Sequence, residues 1–286
     1  MKKVLLILMC CMAIQSVHAQ DTPKWADKAK KAVFSIVTYD KENKIKNTGN
    51  GFYIDNNGTA LSDYSLFEDA ERAVIINADG KELPVTRIAG ANSMYDVIKF
   101  RTETEKKITA LKVATQPAAV GETVYLLPYS TQKAATCQTG KVTQVDTIAD
   151  KAYYYTLTMT TSDKTVSCPI MNANGEVLGL IQKSASEEDK ESYAIGASYG
   201  ESLSISPLSA NDINLNKIGI AKALPETEDQ ALVYLYMSSS QMDAKNYLAT
   251  LNDFLQAYPN STEGYTRRAG YYMNIGDDEH LSLIHI

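Results

Sequence analysis

The chain has 286 residues, 44% hydrophobic and 22% charged, with four Cys, three His and a formal net charge of −6. The histidines are His18, His280 and His285, so everything between Ala19 and Glu279 must work without an imidazole base or metal ligand. The acidic balance argues against nucleic acid or an anionic membrane as partner, and cysteines without neighbouring His give no zinc-finger spacing and imply no cofactor.

Residues 1–19 read as a secretory signal peptide: Lys2 and Lys3, the apolar stretch Val4 to Ile14, then Val17-His18-Ala19 as a small-residue cleavage site. The apolar run is too short to span a bilayer, and no later segment has the length of a transmembrane helix. Cleavage leaves 26 Lys and Arg against 34 Asp and Glu, a mature charge of −8, in a chain expected to be periplasmic or secreted. Cys137 and Cys168 remain and suit either a disulfide or two buried free thiols.

Within a domain expected over residues 20–206, the pattern from Ala32 to about Ser206 has period two, in short runs rich in Val, Ile, Tyr and Thr. Strands are expected over 32–39, 51–54, 73–76, 95–100, 123–127, 153–159 and 176–181. Asn56-Asn57-Gly58, Ala78-Asp79-Gly80 and Asn172-Ala173-Asn174-Gly175 mark tight turns. This is a mainly β domain, and its length suits two barrels better than one small sandwich. Tyr153-Tyr154-Tyr155 should divide between core and surface. The acidic run Glu187-Glu188-Asp189 with Glu191 reads as a solvated turn, because it lacks the oxygen-ligand spacing of a calcium site.

Residues 207–227, with Pro207 and Pro225, read as a linker or irregular cover. Helical periodicity then runs through 228–279, with Ala231, Leu232, Leu235 and Tyr236 on one face and Tyr247, Leu248, Leu251, Phe254 and Leu255 on another. A third helix follows Pro259-Asn260. Its Tyr265, Ala269 and Tyr272, followed by Gly276-Asp277, resemble a tetratricopeptide repeat, which implies a truncated array and a protein-interaction surface. The bland alternative is a short helical appendage packed on the β domain. Residues 280–286 are expected to be a non-native tail.

The segment from Gly49-Asn50-Gly51-Phe52 through Gly58 to Leu61-Ser62-Asp63-Tyr64-Ser65-Leu66 resembles, without a gap, the G-x-G-F-x-I-x-x-x-G-x-x-L-T-x-x-H-V segment of trypsin-like serine proteases, particularly the exported HtrA-like branch. Tyr95-Asp96-Val97-Ile98-Lys99 is similar to that family's D-L-A-V-L-K strand. Ser167-Cys168-Pro169-Ile170 is similar to the end of G-N-S-G-G-P-V, and Gly175 to Gly179 to the following hairpin. The resemblance implies a double antiparallel β-barrel with a peptide-sized cleft between the barrels.

Carried over residue by residue, the family's His falls on Ser65, its Asp on Asp96, its nucleophile on Val166 and its oxyanion-hole Gly on Lys164. Val166 has no nucleophilic atom and Ser65 is no base near neutral pH, so the triad mechanism is lost. The resemblance therefore implies an inactive protease relative that binds a peptide or protein. Two rival readings are an endopeptidase using Ser162 or Ser167 with Lys164, and a plain scaffold for the helices. Asp96 is expected to survive as a structural carboxylate that accepts hydrogen bonds from Ser65 or nearby amides.

Overall fold

Twelve antiparallel strands close into two six-stranded barrels in the computed structural model, which describes residues 22–104, 108–149, 152–182, 190–277 and 279–280. The expected signal peptide, residues 1–19, the acidic run 187–189 and the tail from residue 281 on lie outside the described residues. Barrel 1 has the order β1-β2-β3-β6-β5-β4, from β1 (Val33–Tyr39), β2 (Ile45–Tyr53), β3 (Thr59–Ser62), β4 (Arg72–Ile76), β5 (Glu82–Asn92) and β6 (Val97–Thr102). Barrel 2 has the order β10-β11-β12-β9-β8-β7, from β7 (Thr123–Leu126), β8 (Gln138–Ala149), β9 (Ala152–Leu157), β10 (Pro169–Met171), β11 (Val177–Ile181) and β12 (Ser192–Gly196). Closure leaves neither sheet with a free edge to aggregate.

Alternation builds the first core. Phe34, Ile36, Phe52, Leu61, Ile75, Ile88, Ile98 and Phe100 are all sealed inside barrel 1. Its aromatic rings meet edge-on or tilted, with Phe34 4.8 Å from Tyr53 and Phe67 5.1 Å from Phe100. Gly51 lies on the inward face of β2, where a Cβ would stand 2.7 Å from both the Leu61 carbonyl oxygen and the Phe34 ring. Val124, Leu126, Val142, Tyr155, Leu157, Ile170 and Ile181 fill barrel 2, together with Cys168. Gly58, Gly80 and Gly175 take positive φ, as the three expected turns require.

Expectation and structure differ at several strand positions. The strand expected from Tyr95 begins at Val97, because Asp96 turns the chain with a φ of 47°. The strand β8 was not anticipated: Gln138 to Ala149 mixes Thr, Gln, Lys and Asp into its pattern and carries little apolar alternation.

A short arm ahead of β1 reaches across to barrel 2. Trp25 Nε1 donates to the Ala173 carbonyl at 3.0 Å, its ring lies edge-on to Tyr125 at 5.8 Å, and it covers Gly175. Asp27 accepts the Ala135 N–H, and the largely buried Lys30 donates to the Gln132 and Lys133 carbonyls. Trp25→Ala is expected to lower stability by about 1–2 kcal/mol, less than the ~3–5 kcal/mol of a fully buried aromatic, since Trp25 is only half-buried. Urea unfolding followed by circular dichroism measures this.

Residues 207–227 form a cover rather than a free linker. Ala210, Leu215, Ile218, Ile220 and Ala223 join the barrel 1 core. The extended stretch pairs with β5, where Ile88 donates to Ala221 and accepts from Ala223. Three helices follow: α1 (Glu228–Ser238), α2 (Ala244–Ala257) and α3 (Thr262–Ile275). Thr227, Asp243 and Ser261 cap their N-termini, and Gly276 in the left-handed conformation ends α3. Ala231, Leu235, Leu251, Phe254 and Leu255 form their shared core. Tyr236, expected on the buried face of α1, is 68% exposed, whereas Tyr234 is buried and joins the barrel 1 core. The helix thus has two buried faces, and the Arg87 guanidinium on β5 grips Asp253 of α2 to complete the docking.

Candidate functional site

The two barrels meet where three loops converge, and Ser65, Asp96 and Val166 each stand on one of them. Ser65 follows β3 on a helical turn, Tyr64 to Leu66. Asn47 on β2 fixes that turn by donating to the Ser65 and Leu66 carbonyls at 3.4 and 3.2 Å. Asp96 closes the β5–β6 loop, in which Asn92 Oδ1 accepts the Tyr95 N–H at 2.9 Å. The Asp96 carboxylate accepts twice from Ser65: Oδ1 takes its N–H at 2.7 Å and Oδ2 its hydroxyl at 3.0 Å. The expected pairing of Asp96 with Ser65 is therefore present, and this hydroxyl is fully engaged as a donor.

The loop before β10 carries Lys164 and Val166. Ser162 O accepts the N–H of Thr165 at 2.8 Å and that of Val166 at 3.2 Å, so residues 162–166 wind into a single helical turn. An oxyanion hole at this position would need the Val166 N–H aimed into the cleft, but that N–H is bonded within the turn. Lys164 is exposed. Ser167 is fully buried with a φ of 64°, and its N–H is held by Ile181 O at 2.9 Å. A Ser-Lys dyad is not assembled: Ser167 is sealed from substrate, and Ser162 binds within its own turn. Beside this turn lies a cleft of about 290 Å³ lined by Ser35, Thr48, Gly49, Asn50, Tyr129, Asp163 and Lys164.

Three residues that sequence reasoning did not single out join these loops. Asn50, on β2 and 5% exposed, donates through Nδ2 to Lys164 O at 3.1 Å and Val166 O at 2.9 Å. Gln182 works in the opposite direction: its Nε2 donates to Tyr95 O at 2.7 Å while its Oε1 accepts the Tyr154 hydroxyl at 2.6 Å. Each barrel thus grips the other's site loop with one carboxamide. Asp63, two residues before Ser65, is 2% exposed. Burial holds its carboxyl well above the usual carboxylate range; the neighbouring Asp96 charge adds to this and Ser167 partly offsets it. Ser167 lies close, yet neither its Oγ nor Asp63 Oδ1 completes a hydrogen bond. The sequence signals were an Asn between two glycines and an acid directly after a buried strand, both easily read as turn residues.

Tyr155 of the tyrosine run is core, and Tyr154 stacks on Tyr193 at 6.1 Å beside Gln182. The cysteines are free thiols, not a disulfide. Cys168 lies in the barrel 2 core, where burial pushes its thiol up to about 12, while Cys137 packs against the separate core that includes barrel 1. Among the described residues no three His, Cys, Asp or Glu gather as a metal site, and no helix is long and apolar enough to cross a membrane.

Comparison with known proteins bears on the same region. The sequence model of the Trypsin-like peptidase domain matches residues 49–180. Among solved structures, the chain is similar to the serine endoprotease from Yersinia pestis, with a TM-score of 0.51 and 15% sequence identity. That match covers 61% of this chain and 61% of the other, so the likeness shows the trypsin-like double-barrel fold and spans under two thirds of that protein. No curated protein sequence matches this chain.

Proposed function

We propose that this protein is a non-catalytic, exported relative of the trypsin-like serine proteases, and that its inter-barrel cleft binds an extended peptide or protein segment. The observation that carries the reading is the state of the three converging loops. The base position holds a serine whose hydroxyl is tied to Asp96, the nucleophile position holds Val166, and the Val166 N–H is bonded to Ser162. Triad chemistry needs a hydroxyl, an imidazole to take its proton, and amide donors at the developing oxyanion; the first two are missing from their positions, and the Val166 amide is bonded to Ser162. What is retained is a walled cleft whose loops are cross-tied by Asn50 and Gln182, a geometry suited to holding a ligand in one orientation. The docked helices add a second surface beside barrel 1.

The purified protein is expected to give no serine-specific labelling with a fluorophosphonate probe and no cleavage of casein over hours. Labelling of any serine or appearance of cleavage products would overturn the non-catalytic reading. Peptide binding is tested separately by screening extended peptides against the wild type and against a Lys164→Glu variant, which reverses the charge at the cleft mouth.

A further inference from the structure

The Ser162–Val166 turn is held from two directions. From within, Ser162 O accepts the Thr165 and Val166 amides. From barrel 1, the Asn50 carboxamide donates to the carbonyls of Lys164 and Val166. Those two carbonyls belong to the peptide planes on either side of the Thr165–Val166 peptide, the one that carries the Val166 N–H. Gripping both flanking planes fixes the frame of the turn, so any reopening that moves residues 164–166 together breaks an Asn50 hydrogen bond, and only an isolated flip of the one middle peptide escapes it.

Asn50 has little freedom to follow such a motion. It is 5% exposed, paired with Ser35 across β1 and β2, and its own carbonyl accepts the Ser62 hydroxyl at 2.6 Å. The glycines on either side are closely packed within barrel 1, which fixes the backbone that carries Asn50: a Cβ at Gly49 would fall 2.3 Å from Leu66, and one at Gly51 would strike Leu61 and Phe34. The side chain therefore projects from a fixed point of barrel 1 onto a turn of barrel 2, and both hydrogens of its NH₂ are used there.

We propose that Asn50 is a conformational latch: it holds the 162–166 turn closed and so keeps the cleft without an oxyanion site. The inference rests on the non-catalytic reading and adds the residue responsible for the closed loop. It makes the silence of the site conformational as well as chemical. Restoring the missing side chains is then insufficient while Asn50 stays in place.

The first test is amide hydrogen exchange on the whole protein. With Asn50→Ala, loss of two hydrogen bonds is expected to speed exchange of the Val166 amide by roughly ten- to thirty-fold. The amides of Phe100 in barrel 1 and Leu180 in barrel 2 should keep their protection. Unchanged Val166 exchange with intact controls overturns the latch. If Asn50→Ala also loses the control protection, Asn50→Ser, which keeps a small polar side chain too short to span the seam, gives the same comparison. The second test builds Ser65→His, Lys164→Gly and Val166→Ser with and without Asn50→Ser. Fluorophosphonate labelling at position 166 is expected at least ten-fold faster with the latch removed. Equal labelling of the two proteins, including none in both, overturns the proposal. Labelling of the unmodified protein is a different result: it would sink the non-catalytic reading itself.

Discussion

Asp63→Asn is expected to stabilise the protein at pH 8 and to change its stability much less at pH 4. Asp63 is buried at the barrel seam, and burial is the largest of the influences that raise its pKa from 3.8. The folded state therefore keeps the Asp63 proton after the unfolded chain has released it. The favourable contribution of the protonated acid is full below the unfolded value and is lost as pH rises through the folded value. Asparagine has the same shape and no proton to lose, and its NH₂ can donate to the unpartnered Ser167 Oγ. Urea unfolding at pH 4, 6 and 8 should show the two midpoints diverging with pH at a constant slope. A difference that stays flat with pH, or a variant weaker at pH 8, would mean that Asp63 is ionised and well solvated in the fold.

The same carboxyl ties the seam to the site above it. Asp96, which accepts the Ser65 N–H and hydroxyl, contributes to raising the Asp63 pKa by like-charge repulsion. One acid of the pair accepts two hydrogen bonds at the surface, while the other faces the core, where burial favours its protonated form. Asp96→Asn should accordingly shrink the pH dependence without abolishing it, since burial ranks ahead of the Asp96 charge among the causes.

How much of this was legible in the sequence follows from the range of each interaction. Alternation in β1 and the glycines of the tight turns are local signals, and they placed those elements correctly, whereas the double barrel rested on domain length and the resemblance. The pairing of Ser65 with Asp96 spans 31 residues and was readable because the resemblance supplied the register. Asn50 acts across more than 100 residues, and Gln182 across 87. Their partners are backbone carbonyls, which leave no mark on the sequence. Asp63 was invisible for a related reason, because a turn acid and a buried acid are spelled alike until the fold shows what covers it. Tyr236 was misplaced because α1 is buried on two sides, and a single-face pattern cannot describe it.

Gly179→Ala should have the largest effect of any single methyl group added to the barrels. Gly179 in β11 stands opposite Gly196 in β12, and a Cβ there would fall 2.4 Å from the Ile195 carbonyl oxygen. The obstacle is backbone, so no rotamer change relieves it and the two strands must separate. On its other side β11 is paired with β10 through Ile170, and Gly196 itself has no slack, since a Cβ there would meet Tyr153 O at 2.8 Å. The expected cost is about 3–5 kcal/mol, a large share of a typical domain's ~5–15 kcal/mol. The damage should also reach the site. The end of β11 accepts the Ser167 N–H and donates to Cys168 O, and the next residue, Gln182, holds the Tyr95 loop that presents Asp96. A proper control is Gly80→Ala, where no atom lies within 4 Å and only the positive φ opposes the methyl group, at about 1 kcal/mol. Urea midpoints for the pair should therefore differ by at least about 2 kcal/mol in equivalent stability. If Gly179→Ala instead matches Gly80→Ala, the β11–β12 spacing is looser than described, and Gln182 cannot be the rigid tie between the barrels.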